Sequence, residues 1–234
     1  MPERWLCVLP LTMRYTAGLA SGKRKPLLVL RVVPFFPHRF ENFSMKTITT
    51  FSIAAALLLA IPCSAGEWQN LIDGESLDGW AKVGGDATYE IKDGVITGTT
   101  GKGKNTFLTK GPFADFELTF MVKCDAGLNS GVQFRSQLYE ADTPQESQPK
   151  RIREKGEMYG CQCEIRADFK EPNGCAGNVW DEGRRTRWMD QTVEATASQQ
   201  AYKPEQWNQF RIIAKGDHIQ TFVNGEKVAD FHDD

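Results

Sequence analysis

The 234-residue sequence predicts an all-β fold, a sandwich or jelly roll of two antiparallel sheets, on three observations. Apolar residues alternate with a period of two rather than 3.6 from Gly66 onward, the alternating runs are short, and Asp-Gly, Asn-Gly and Gly-Asp pairs punctuate them. A parallel α/β sheet would instead interleave strands with amphipathic helices, and no convincing three-turn helix is present.

Taken in order, Tyr89, Glu90 and Ile91 lead through Lys92-Asp93-Gly94 to Val95, Ile96 and Thr97, a hairpin with Asp-Gly in the turn. Phe116, Leu118, Phe120 and Val122 alternate with Glu117, Thr119, Met121 and Lys123, a strand with one face on a core. Residues 129–136 (NSGVQFRS) put Val132 and Phe134 on the core side and Gly131, Gln133 and Arg135 on the other. Residues 158–166 (MYGCQCEIR) split likewise: Tyr159, Cys161, Cys163 and Ile165 form the apolar set, Gly160, Gln162, Glu164 and Arg166 the opposite one. Residues 207–215 form a strand ended by Gly216-Asp217. Residues 218–223 run to Asn224-Gly225, a pair suited to a type I′ turn, and residues 227–231 return. Residues 140–156 (EADTPQESQPKRIREKG) are polar and contain prolines, which reads as a long exposed loop.

With 41% hydrophobic and 25% charged residues, 21 Gly and 11 Pro, the composition is that of a globular protein and excludes collagen-like or wholly disordered chains. Eight of the 28 basic but only two of the 30 acidic residues lie in residues 1–65, so the remainder is acidic by eight. That balance argues against nucleic acid or an anionic membrane surface as partner. The longest apolar run, residues 51–61 (FSIAAALLLAI), is about half of the ~20 residues a membrane-crossing helix needs, so no transmembrane segment is expected. Preceded by Met45-Lys46 and followed by Pro62-Cys63-Ser64-Ala65, it has the parts of a secretory signal with cleavage after Ala65. Pro62 disfavours lipidation at Cys63. The expected division is therefore an upstream extension over residues 1–44, from a start codon assigned too early, a signal peptide over 45–65, and a domain over 66–234 that is periplasmic or secreted.

Four cysteines remain after such cleavage: Cys124, Cys161, Cys163 and Cys175. Cys161 and Cys163 share a strand face and cannot readily bond each other, which leaves a disulfide from one of them to Cys124 or Cys175, or small buried thiols. A C-x-C pair without a nearby His is a poor zinc site.

If the strands over 129–136 and 158–166 are neighbours, Gln133, Arg135, Gln162, Glu164 and Arg166 converge as donors and acceptors suited to sugar hydroxyls, although the outer face of any sandwich is polar. Residues 177–189 (GNVWDEGRRTRWM) add Trp180, Asp181, Glu182, Arg184, Arg185 and Trp188. Trp offers a flat face to a pyranose while Asp, Glu and Arg give directional hydrogen bonds; a solvated charge run with two core tryptophans fits the same composition. No G-x-S-x-G, H-E-x-x-H, P-loop, G-x-G-x-x-G or EF-hand pattern occurs, and His218 and His232 read as surface or packing residues.

These residues resemble the 3-keto-disaccharide hydrolase family, formerly a domain of unknown function with a concanavalin-like jelly roll. The similarity is carried by Leu71-Ile72-Asp73-Gly74 through Trp80, by Tyr89 to Ile96, by Phe107-Leu108-Thr109, by Asp115 to Leu118, by Asn129 to Ser136, by Gly160 to Ile165, and by Trp207 to Asn224-Gly225. It implies an exported hydrolase or lyase cleaving 3-keto-glycosides, with a small-molecule glycoside or glycan as partner. A 3-keto group acidifies the hydrogen on C2, so a general base can remove it and the glycosidic oxygen can leave by elimination. Carried over by position, the resemblance makes Glu164 the base, Arg135 the enolate clamp and Gln162 a hydroxyl ligand, with Asp181 and Glu182 as candidates for the acid. The candidate catalytic residues are thus Glu164, Arg135 and Asp181; Gln133, Gln162, Arg166, Trp180, Glu182, Arg184 and Trp188 are candidates for substrate binding. The sequence identifies no cofactor, and a divalent cation at Asp181 and Glu182 is compatible with it. The alternative is a non-catalytic carbohydrate-binding module on the same sandwich. Members of this family continue beyond the position of Asp234, so a truncated sandwich with an unpaired sheet edge is expected.

Overall fold

The computed structural model describes residues 67–101, 105–125, 128–166, 176–190 and 200–233, and the backbone alone of 5–15 and 27–30. The expected signal segment, 45–65, lies outside the described residues. In chain order the strands are β1 (Trp5–Tyr15), β2 (Leu27–Leu30), β3 (Gln69–Asn70), β4 (Ala81–Gly84), β5 (Thr88–Lys92), β6 (Val95–Thr99), β7 (Thr106–Lys110) and β8 (Phe116–Cys124). They continue as β9 (Asn129–Leu138), β10 (Thr143–Gln145), β11 (Gln148–Arg153), β12 (Met158–Arg166), β13 (Val179–Glu182), β14 (Asn208–Lys215), β15 (His218–Val223) and β16 (Glu226–His232).

They form two large antiparallel sheets, as the period-two pattern predicts. One runs β16-β15-β14-β8-β1-β6-β5 with β3 on β1, the other β13-β12-β9-β2-β7-β4, and β10 and β11 make a separate hairpin. The predicted turns fall where expected, with Asp93 and Asn224 at φ 54° and 51°. Phe116, Leu118, Phe120 and Val122 of β8 are buried, and they meet Val132 and Phe134 of β9 and Cys163 and Ile165 of β12 in one core. Phe116 meets Phe134 edge to face at 6.0 Å across the two layers, while Phe120 stacks on Phe210 at 5.4 Å within one. Fully burying each such ring is worth about 1.5–3 kcal/mol, so this alternation is the main source of the sandwich's stability. No described helix is long and apolar enough to cross a membrane.

First, residues 1–44 contribute a strand to each large sheet: β1 lies between β8 and β6 and β2 between β9 and β7. A two-layer sandwich needs a continuous ladder to satisfy its backbone groups, and any segment of extended backbone can supply it. Second, residues 140–156 are not an irregular loop, because β10 and β11 pair within them. Three of the first five residues of β11, Gln148, Lys150 and Arg151, are polar and Pro149 stands between them, so no alternation announces it.

Cleavage after Ala65 would remove both β1 and β2. A chain comprising residues 66–234 should melt about 10 °C or more below the full chain, as expected when several kcal/mol of ladder and burial are lost, and should self-associate on gel filtration. Equal melting temperatures would show that β1 and β2 add nothing to the fold.

Candidate functional site

Cross-strand partners in a sheet point to the same face, so register alone assembles a row. Trp180 pairs with Gln162, Gln162 with Gln133, Gln133 with Val29, Val29 with Thr109 and Thr109 with Ala81. The backbone ladder at this level crosses the whole six-stranded sheet, and the side chains of Trp180, Gln162, Gln133 and Thr109 lie on the face away from the core. Within it the side chains are wired together: Ser136 Oγ donates to Gln133 Oε1 (3.1 Å), Gln133 Nε2 to Gln162 Oε1 (3.3 Å) and Gln162 Nε2 to Glu164 Oε1 (2.7 Å). Glu164 ends the chain at only 4% exposure, a carboxylate oriented by an amide in a nearly dry site. Arg166 follows it on the same face, opposite Asn129.

Ser136 joins this chain through a bulge. Tyr159 pairs with Gln137 and Cys161 with Phe134, so Arg135 and Ser136 both stand opposite Gly160. Arg135 takes φ 53°, the left-handed conformation of a bulge residue. Gly160 is required there, since a Cβ on it would lie 2.5 Å from Ser136 Oγ and 2.8 Å from Ser136 Cα. The extra residue returns Ser136 to the face of Gln133, where plain alternation would not put it.

The same bulge carries Arg135 elsewhere. Its Nη2 lies 3.4 Å from Asp115 Oδ1, an oxygen that also accepts the Gly216 N–H at 3.0 Å. The structure thus brings Gln133, Gln162 and Glu164 together and places Arg135 with Asp115 on a loop at the end of the sandwich.

On β13 the alternation separates the remaining candidates. Trp180 and Glu182 share the outer face with Gln162 and Gly160. Trp180 meets Trp188 edge to face at 4.9 Å, because the following turn folds back to bridge the two. Asp181 is the register partner of Cys161 and faces inward, fully buried. Arg184 Nε lies 3.2 Å from each Asp181 oxygen, Arg185 Nε binds the same carboxylate, and Arg185 Nη2 reaches Asp233 Oδ1 at 2.6 Å. Asp181 and Arg184, two of the sequence candidates, thus belong to an ion network that fastens β13 to the segment after β16. A thiol completes it, Cys161 Sγ at 3.8 Å from Asp233 Oδ2, with burial and these carboxylates pushing Cys161 up to about 12. Cys124, Cys161 and Cys163 are buried thiols not joined in a disulfide, Cys124 Sγ lying 3.1 Å from Tyr202 Oη; Cys175 lies outside the described residues.

A cleft of about 760 Å³ opens on the outer side of the six-stranded sheet. Phe107 and Glu182 line it, each two residues along a strand from the row residues Thr109 and Trp180, with Met158 beside them. Its other wall is the end of β11 and the loop after it, including Arg151, Arg153 and Glu157. That wall is fixed: Arg153 Nε donates to buried Gln145 Oε1 at 2.9 Å and its Nη1 to Glu157 Oε2 at 3.2 Å, while Gln145 Nε2 donates to Thr186 Oγ1 at 3.2 Å. Burial pushes the Glu182 carboxyl above the ordinary glutamate range, against the pull of Arg153 and Arg151. Ser136, Phe107, Met158 and Arg153 escaped the sequence reading, and only the bulge and the hairpin reveal them. Among the described residues no three His, Cys, Asp or Glu side chains gather as a metal cage.

Residues 67–234 match the family model described as a 3-keto-alpha-glucoside-1,2-lyase-like domain. No curated protein matches the chain.

Three outcomes are expected from this geometry. Gly131→Ala places a methyl 2.5 Å from Gln162 Cγ and 2.9 Å from the Cys163 carbonyl oxygen, and should cost about 1–3 kcal/mol in urea unfolding while displacing the Gln162 amide. Asp181→Asn leaves two guanidinium groups without their shared carboxylate and should cost about 3 kcal/mol. Because the folded pKa of Glu182 is raised, its unfavourable contribution is absent below the ordinary glutamate range, grows as pH rises from there towards the shifted value, and is constant above it. Glu182→Gln should therefore gain stability relative to the parent between pH 4 and pH 7, measured by thermal melts across that range.

Proposed function

Since the chain belongs to the 3-keto-alpha-glucoside-1,2-lyase-like family, we propose that it is a carbohydrate-active enzyme that cleaves 3-keto-glycosides by elimination. The observation that carries this reading is the hydrogen-bonded row from Ser136 to Glu164 on the face that holds the cleft. The amide of Gln162 holds one oxygen of Glu164, which leaves the carboxylate oriented as a general base for the hydrogen on C2. Little exposure means little competing water, which strengthens both the base and its interactions. Gln162 offers its amide to ring hydroxyls, held from behind by buried Gln133, and Arg166, next along the face, is the cation available to the oxygen of the developing enolate. Trp180 supplies an apolar wall beside Gln162 for a sugar ring. Arg135, committed to Asp115, has no part in this reading.

Export from the signal-like segment 45–65 is proposed with it. Gln133, Ser136, Gln162, Glu164, Arg166 and Trp180 all lie beyond Ala65, so a chain beginning at Gly66 retains them while losing β2, which carries Val29 of the row. N-terminal sequencing of protein recovered outside the cytoplasm, with Gly66 as first residue, is the expected result.

A second reading, a carbohydrate-binding module without catalysis, is favoured by the Trp180–Trp188 pair at the edge of the row. Incubation with 3-keto-trehalose separates the two. The enzyme should release glucose and an unsaturated 3-keto sugar, and Glu164→Gln should lower kcat by at least 100-fold, the scale of a lost general base, with KM little changed. Binding without turnover, equal in the parent and the variant, would establish the module instead.

A further inference from the structure

We propose that Asn178 binds the substrate, its side-chain oxygen accepting the hydroxyl on C2, the carbon from which Glu164 takes the hydrogen. This assignment rests on the proposed reaction and adds a residue that the row from Ser136 to Glu164 does not contain.

Asn178 enters the site through a second bulge, just before β13. The Gly177 N–H donates to the Glu164 carbonyl at 2.8 Å, and the Asn178 carbonyl accepts the Glu164 N–H at 2.9 Å, so both residues stand opposite Glu164. Gly177 holds φ 92°, the left-handed conformation that glycine supplies at the first position of such a bulge. It turns towards the other sheet, where a Cβ would lie 2.7 Å from Val223 Cγ2 and 3.1 Å from Val228 Cβ. Alternation from Val179, packed in the core, and Trp180, on the outer face, then puts Asn178 outward. Its facing neighbour there is Glu164, and residues that face each other across a ladder stand about 5 Å apart at Cβ.

The Asn178 amide is as enclosed as the carboxylate beside it, at 3% exposure. Among the described residues its Oδ1 has no hydrogen-bond partner. Buried amide oxygens nearly always have one, because leaving the bond unmade forfeits hydration without replacing it. An acceptor kept dry and unbonded beside a general base is suited to a donor that arrives with the substrate. A ring hydroxyl is such a donor, and the one on C2 diverges from the same carbon as the hydrogen that Glu164 removes. Arg166, the cation assigned to the enolate oxygen, is two residues along β12 from Glu164, whereas Asn178 is across the ladder from it. The base, the cation and the amide therefore address the C2 hydrogen, the C3 oxygen and the C2 oxygen from different sides.

The test compares 3-keto-trehalose with its counterpart lacking the hydroxyl on C2 of the oxidised ring. Both are given to the full chain and to Asn178→Leu, which keeps nearly the same volume and removes the acceptor. The ratio of kcat/KM for the two substrates is taken within each protein, so that their different intrinsic reactivity cancels when the ratios are compared. The parent's ratio should favour the hydroxylated substrate at least about 10-fold more than the variant's does, and the variant should melt no lower than the parent, since no hydrogen bond is lost with the oxygen. Equal ratios in parent and variant would overturn the assignment while the parent's turnover still upheld the proposed reaction. A parent inactive on both substrates would overturn the reaction and the assignment together. Should Asn178→Leu fail to fold, Asn178→Ala is put through the same comparison and the same ratio decides.

Discussion

Between Gln133 and Gln137, β9 carries one residue more than the stretch of β12 it faces, and the composition of the site depends on where that residue goes. Arg135 absorbs it in a left-handed conformation and Gly160 makes room opposite. Such a bulge re-aims every side chain beyond it, because the period of a strand is two and a single insertion shifts the faces. Ser136 is thereby aligned behind Gln133, and the oriented chain of hydroxyl, two amides and a carboxylate becomes continuous. Without the bulge Arg135 would stand on that face and Ser136 would be turned into the core.

The inner face of the same sheet limits what the outer face can do. Asp181 with Arg184, Arg185 and Asp233 places four charges at the margin of the core. A buried carboxylate is tolerated only when its charge is matched, and two guanidinium groups provide the match. By fixing Asp181 inward, this network fixes Trp180 and Glu182 outward, since neighbours on a strand cannot share a face. The candidate site is thus held from behind by ion pairs as well as by the packed layer of Val132, Phe134, Cys163 and Ile165.

The hairpin of β10 and β11 gives the sheet a hollow rather than a flat surface. Gln145, buried under Arg153 and joined to Thr186, pins it to the turn after β13. One wall of the cleft and the segment bearing Glu182 are consequently parts of one hydrogen-bonded unit, which lowers the cost of ordering a bound sugar.

The sequence by itself determined the all-β class, the hairpin turns at Asp93 and Asn224, the core face of β8, and the shared outer face of Gln133, Gln162 and Glu164. Each of these follows from local rules, a period of two or the φ tolerance of Asp, Asn and Gly, that need no knowledge of distant residues. The tertiary structure decided that Arg135 leaves that face, that Asp181 is enclosed by arginines, that residues 140–156 form a wall, and that β1 and β2 enter both sheets. Strand register, bulges and ladder partners are set by pairings between residues far apart in the chain. Alternation in one segment says which residues share a side, but not what lies opposite them.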